Sequence, residues 1–212
     1  MRVSEIRDRI VELSHHGAGV DGEMNRRAMG WLNSAYHEIL DELLPHAPAA
    51  LARTETVTSD TVGRAVLTQG VYRLLQVADR QNGRVLALTN AAAALAADPA
   101  GTAEGEPKMV YADGAAVVLQ PKAPVQLVVR YVPQPADLQE GDAESAILLP
   151  VSQHSGLVWG GLVWCALFER GFVGAGELGL YQARWQQAKE SAKLALVGVN
   201  GEGLRVQPFT MV

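Results

Sequence analysis

The side chains able to do chemistry in this 212-residue chain are few and scattered. Its histidines are His15, His16, His37, His46 and His154, and none falls in an H-E-x-x-H pattern. The single cysteine, Cys165, has no metal-ligand spacing to join. It lies in an apolar run, where a thiol is most simply a small buried hydrophobe. His15-His16 reads as a solvated loop pair. Gly17-Ala-Gly19 precedes no βαβ unit, and no G-x-x-x-x-G-K-[ST] is present, so no loop is built to cradle a phosphate. Ser155 beside His154 puts a nucleophile next to a base, but sequence neighbours on one helix point in different directions. His154 is expected at a helix surface or interface. Asp137, Glu140, Asp142 and Glu144 invite an acid/base reading for glycoside cleavage. That chemistry needs one carboxyl in an apolar pocket, and a glycine-containing acidic linker is the opposite environment. The residues therefore predict no catalytic centre, no cofactor site and no metal site.

The elements that would position such groups are dominated by two helices between Leu149 and Leu196, expected to fold back on each other. Pro150 suits the first turn of the first helix, where its missing N–H costs nothing. Val151, Leu157, Val158, Leu162, Val163, Ala166 and Leu167 then make a broad apolar surface ending at Phe168, with Trp159, Trp164 and Cys165 on other faces. Gly156, Gly160 and Gly161 would let another backbone come close. The uncharged run is too short to span a membrane, which needs about 20 apolar residues. It predicts a buried central helix, the sharper alternative being that part of this surface faces a neighbouring subunit. Gly171 and Gly174-Ala-Gly176 mark a turn. The second helix carries Leu178, Tyr181, Trp185, Ala188, Ala192 and Ala195 at a 3.6-residue period.

Two more amphipathic helices open the chain. Val3, Ile6, Ile10 and Leu13 share one face, and Asp21 is an expected N-cap for a helix running to about Leu44 and stopped by Pro45 and Pro48. Between these helices and the later pair the period changes to 2. Strands are expected at Glu55–Thr58, Ala65–Thr68, Val71–Ala78, Val85–Thr89, Met109–Ala112, Ala115–Gln120 and Val125–Val132, with tight turns at Asn82-Gly83 and Asp113-Gly114. Asn90 should cap a short alanine helix. The expected architecture is α+β: a small helical bundle with an inserted antiparallel β-rich subdomain, its strands forming one mixed antiparallel sheet. Its expected segments are 1–48 (N-terminal helices), 54–136 (β insertion), 137–198 (acidic linker and helical hairpin) and 199–212 (tail).

Composition narrows the function classes. Hydrophobic residues make up 48% and charged residues 19%, which is globular rather than disordered. A net charge of -5 argues against a dedicated nucleic-acid binder with a basic footprint. The first residues carry no apolar signal segment, so synthesis and retention in a cytoplasm are expected.

Taken in order, the chain resembles the head-to-tail adaptors (connectors) of tailed bacteriophages. The resemblance rests on Trp31-Leu-Asn-Ser-Ala-Tyr-His-Glu-Ile39, Tyr72-Arg-Leu-Leu-Gln-Val77 and Gly114 to Pro121. It continues in Leu127-Val-Val-Arg-Tyr-Val-Pro-Gln-Pro135, the acidic spacer, and Ile147-Leu-Leu-Pro150 with His154 just inside the next helix. In such adaptors Pro150 and His154 would mark the start of the central helix rather than a catalytic site. The resemblance implies a virion protein made in the bacterial cytoplasm and forming a ring, typically of twelve subunits, beneath the portal. It would extend the channel for packaged double-stranded DNA, without sequence-specific contact, and give the tail or its next completion protein a platform. No membrane partner is expected. Trp159, Trp164 and Trp185 would supply core and subunit contacts, and the hairpin tips at Asn82-Gly83 and Asp113-Gly114 would face the tail. The terminal Leu204-Arg-Val-Gln-Pro-Phe-Thr-Met-Val212 alternates apolar and polar residues. Such a segment is either a frayed end or a docking peptide, and in the second reading Leu204, Val206, Phe209 and Met211 would dock on the portal by strand addition or insertion into a crevice. The rival readings are a virion-associated cell-wall hydrolase using the acids of 137–144 and a cytoplasmic binding module unrelated to phage.

Overall fold

The computed structural model describes residues 1–14, 22–46, 48–168 and 175–199. The expected N-cap Asp21, the pair His15-His16, the turn glycines Gly171 and Gly174, and the tail residues Leu204, Val206, Phe209 and Met211 lie outside them. The described residues form a mixed α+β fold whose chain divides into two compact units, 1–50 with 137–212, and 51–136.

The first unit is helical. Helices α1 (Val3–Leu13) and α2 (Gly22–Leu43) bury the faces their periodicity marks, including Ile6 and Ile10 on α1 and Ala28, Leu32, Ala35, Ile39 and Leu43 on α2. Leu13 departs from this, at 38% exposed, because α1 ends there. A 3-10 helix of Val151–Gln153 precedes helix α4 (Gly156–Phe168), so Pro150 opens a 3-10 turn and not the long helix the sequence suggests. Helix α3 (Ala91–Ala97) belongs to the other unit, and α5 (Ala175–Val199) completes this one, with Tyr181, Trp185, Ala192 and Leu196 buried. Helix α4 contacts α1, α2 and α5.

Its glycines explain how one helix serves three neighbours. A methyl group on Gly156 would stand 2.8 Å from the Ala188 methyl of α5, and one on Gly160 would stand 2.7 Å from the Ala35 methyl of α2 and 3.0 Å from the Trp185 ring. A methyl on Gly161 would collide with Ile10 of α1. The three notches thus face three different helices, each too close for a side chain.

The segment expected to be a solvated acidic linker is instead stapled to the helices. Asn33 accepts from the Leu138 N–H at 2.9 Å and donates to its carbonyl at 3.2 Å, a side-chain imitation of strand pairing. The Tyr36 hydroxyl accepts from Leu148 N–H at 3.1 Å, His37 meets Asp137 at 2.8 Å, and Arg7 pairs with Glu140. Leu138, Ile147 and Leu149 bury the apolar remainder.

The second unit holds two four-stranded sheets where one sheet was expected. Strands β1 (Arg53–Thr58), β3 (Val71–Asp79), β4 (Arg84–Val85) and β8 (Gln126–Pro133) pair in the order β1-β8-β3-β4, all antiparallel. Strands β2 (Arg64–Val66), β5 (Ala87–Leu88), β6 (Met109–Asp113) and β7 (Ala116–Gln120) pair as β2-β7-β6-β5, with β5 parallel to β6. The expected single strand Val85–Thr89 is divided at Leu86, which is 2% exposed, and its two halves join different sheets. Alternate residues Val77, Leu127, Val129 and Tyr131 of one sheet and Ala65, Val110, Val117 and Leu119 of the other share one apolar core. Helix α3 (Ala91–Ala97) starts as its sequence predicts, with Asn90 Oδ1 accepting from Ala93 N–H at 2.8 Å.

Both hairpin turns shift by a residue or more from their expected form. Asp113 pairs with Ala116, so the β6–β7 turn is Gly114-Ala115, with Gly114 at φ +62°. Asp79 pairs with Arg84, so the β3–β4 loop is Arg80–Gly83 and not a two-residue Asn-Gly turn. The cause is Asp79, only 2% exposed, whose carboxylate accepts from Gln81 N–H at 2.9 Å, Asn82 N–H at 3.3 Å and Asn82 Nδ2 at 2.8 Å. Burial pushes this carboxyl up, but the bonds from Asn82 and Gln81 outweigh it and hold it below the usual carboxylate range.

Gly160→Ala should lower stability by about 1–3 kcal/mol, because overpacking exceeds the gain in helix propensity. In exposed Gly30, where an added methyl meets nothing, the same change should raise stability by about 0.5–1 kcal/mol. Urea unfolding of both variants measures the contrast.

Candidate functional site

In the helical unit the tryptophans singled out by sequence divide. Trp185 is 2% exposed, its indole N–H donating to Glu38 Oε1 at 3.2 Å and its ring lying 5.6 Å beneath the Lys189 ammonium. Of the core and subunit contacts expected of it, the core contact is made within the helical unit, where its α5 stripe points at α4 and at Glu38 of α2. Trp159 and Trp164 are half-buried. Trp159 is tilted against Tyr181 at 6.0 Å between centroids and lines a groove of about 220 Å³ with Ser152, Gln153, Ser155, Arg184 and Gln187. Trp164 stacks on Phe168 at 5.6 Å and 16°, and its indole N–H donates to Glu38 Oε2 at 3.0 Å. Leu167 and Phe168 beside it are 52% and 67% exposed. Together they give this end of α4 a part-open apolar surface held by a polar anchor.

Glu38 therefore receives two indoles and Lys189, whose Nζ is 3.0 Å away. Lys189, 5% exposed, also pairs with Glu42, which takes a second ion pair from Lys193 at 3.1 Å. Partial burial pushes Glu42 up, but the hydrogen bonds from Lys189 and then Lys193 outweigh it and hold the carboxyl low. Burial pulls the Lys189 ammonium down, and the bonds to Glu42 and Glu38 raise it above its ordinary value. Sequence reasoning missed this network. Its signal was a lysine four residues after Trp185 on the buried stripe, facing carboxylates at the i and i+4 positions Glu38 and Glu42.

His154 is buried at 1% exposure, not at a helix surface. Its Nε2 lies 2.9 Å from the Leu149 carbonyl oxygen and its Nδ1 3.3 Å from that of Met1, at the turn before α4. It lines a cavity of about 720 Å³ with Arg2, Glu144, Ser145 and Pro150. Ser155 is exposed and shares no hydrogen bond with it. The four linker acids are engaged separately: Asp137 with His37, Glu140 with Arg7, Asp142 with the Gln139 N–H at 2.7 Å, and Glu144 with the Met1 amine. The amine holds Glu144 below the usual carboxylate range, the reverse of what a proton-donating acid needs. Among the described residues no group of three His, Cys, Asp or Glu side chains is placed to hold a metal, and no helix is long and apolar enough to cross a membrane.

Among the described residues the arrangement brings no reacting groups together, and one comparison identifies its kind. The model of the SU10 adaptor protein family matches residues 1–205. The chain belongs to that family. No curated protein matches it. The family agrees with the resemblance to phage head-to-tail adaptors and with a structural role for this adaptor. In the β unit of the adaptor, the expected tail-facing residues Asn82, Gly83, Asp113 and Gly114 occupy two exposed hairpin tips.

Lys189→Met should lower stability by about 1–3 kcal/mol, since it removes charged hydrogen bonds to two partly buried carboxylates. The pH profile gives a second readout. Glu42, depressed in the fold, adds stability above the ordinary glutamate value of about 4.3 that is lost as pH falls through its lower folded value. Lys189, raised in the fold, adds stability below the ordinary lysine value of about 10.4 that is lost as pH rises through its higher folded one. In Lys189→Met both limbs should flatten in thermal melts taken across pH.

Proposed function

We propose that this adaptor closes into a ring, of the twelve subunits its resemblance implies, beneath the portal of a DNA-filled capsid. There it extends the DNA channel and offers the tail or its next completion protein a platform. The match to the adaptor family over residues 1–205 is the observation that supports this reading most. The subunit contacts of the ring are assigned to the half-buried Trp159 and Trp164, the latter with exposed Leu167 and Phe168 beside it. Trp185, buried at 2% exposure, supplies the core contact behind them. The tail contacts are assigned to the two hairpin tips, Asn82-Gly83 and Asp113-Gly114, since loops on a rigid scaffold commonly carry recognition. The portal contact is assigned to Leu204, Val206, Phe209 and Met211. The net charge of -5 suits a channel through which DNA slides, because an acidic lining releases phosphates that a basic one would hold.

Mass measurement of the protein alone and mixed with its portal tests the reading. A ring, either free or formed on the portal, is the expected result; a chain that stays monomeric beside every capsid component rejects it. Deleting 204–212 should weaken portal binding and leave the melting temperature unchanged, and unaltered docking would remove the tail from the interface.

A further inference from the structure

The β3–β4 hairpin tip joins a labile dipeptide to a buried anion. Asn82 and Gly83 are both exposed, and Gly83, at φ +64°, has no side chain to shield its amide. An asparagine followed by glycine is the sequence most open to intramolecular attack by the next backbone nitrogen. Yet the Asn82 amide is not free to turn: Nδ2 donates to Asp79 Oδ2 at 2.8 Å, and the Asn82 backbone N–H donates to Asp79 Oδ1. Donation to a carboxylate fixes the side-chain rotamer and pushes electron density into the amide, which makes its carbonyl carbon a poorer electrophile. Around Asp79 the other charged groups are on β4 and beyond: Arg84 sits opposite it in register, and the Arg84 guanidinium is turned to Glu106 at 3.0 Å. Leu127, its neighbour on β8, is apolar.

We propose that Asn82–Gly83 is a spontaneous deamidation site of this protein, held in check by the Asp79 carboxylate and read by it once the reaction has occurred. In the reaction the Gly83 nitrogen gives up its proton to solvent base and bonds to Asn82 Cγ. The Cγ–Nδ2 bond breaks, and the nitrogen leaves as ammonia after taking a proton from water. Water then opens the resulting succinimide at either carbonyl, giving aspartate or isoaspartate. One water is consumed, one ammonia is released, and nothing is oxidised. The product replaces a donor by an acceptor against Asp79, leaving two carboxylates at hydrogen-bond distance in a site that excludes water from one of them. The tip then opens or takes up a proton. The inference stands apart from the adaptor reading, since it concerns the isolated chain.

The full-length protein, aged in warm and mildly alkaline buffer, is followed by peptide mapping for aspartate and isoaspartate at position 82. Asp79→Asn should speed the conversion by about tenfold or more, the rate factor of one lost charged hydrogen bond. Arg84→Ala, which loosens the return strand but leaves Asp79 in place, should not. Equal rates in wild type and Asp79→Asn, or equal acceleration in both variants, overturn the proposal. Asn82→Asp imitates the product and gives a readout that needs no ageing. It should melt lower than wild type at neutral pH, and adding Asp79→Asn should recover the loss by restoring a donor–acceptor pair. If Asn82→Asp melts like wild type, Asp79 does not read the site.

Discussion

The close approach of three helices to α4 is the constraint on which the helical unit depends. Gly156, Gly160 and Gly161 leave no space for a Cβ against Ala188, Ala35 and Ile10. A helix with so many glycines is intrinsically weak, each glycine costing about 1 kcal/mol relative to alanine. Dispersion gained by bringing backbone against side chain offsets that weakness only when all three neighbours are in place. Formation of α4 is thereby tied to α5, the next helix in the chain, and to α1 and α2 near its start. The buried apolar residues Leu157, Leu162 and Cys165 follow from the same geometry.

An apolar contact of small residues fixes distance better than it fixes register. The Glu38 network supplies the rest. Its carboxylate oxygens receive the indoles of Trp164 and Trp185 and the ammonium of Lys189, one donor from α4 and two from α5. Sliding or rotating α4 would strip the Trp164 indole of its acceptor, and moving α5 would strip the Trp185 indole and the Lys189 ammonium of theirs, a cost of the order of 1–3 kcal/mol for each group. The linker is treated in the same way, by Asn33 and Tyr36 on α2. Polar side chains thus specify a packing that glycine and alanine leave underdetermined.

In the ring proposed above this division would have a use. Residues that lock the fold, such as Trp185 and Lys189, are enclosed, while Leu167, Phe168 and the face of Trp164 are left open but held in place. A side chain already fixed in the free protein loses little entropy when a partner covers it. The same holds at the β3–β4 tip, where the buried Asp79 fixes an exposed loop.

What the sequence determined by itself was local and periodic. The stripes of α1, α2 and α5, the Asn90 cap, the alternation of β8 and the order of elements that resembles phage adaptors all depend on spacings within a few residues, which a single chain displays directly. Gly156, Gly160 and Gly161 announced close approach, though not to which helices. Tertiary structure alone decided what depends on partners distant in sequence. Whether the strands make one sheet or two turned on Leu86 dividing a run into pieces that pair with β3 and β6. The form of the hairpin at Asn82 turned on the depth at which Asp79 is buried. The fates of Trp185, His154 and the linker acids turned on Glu38, the Leu149 carbonyl, Arg7 and His37. A polar side chain is read as solvated until its counterpart is found, and here several counterparts lie a hundred residues or more away.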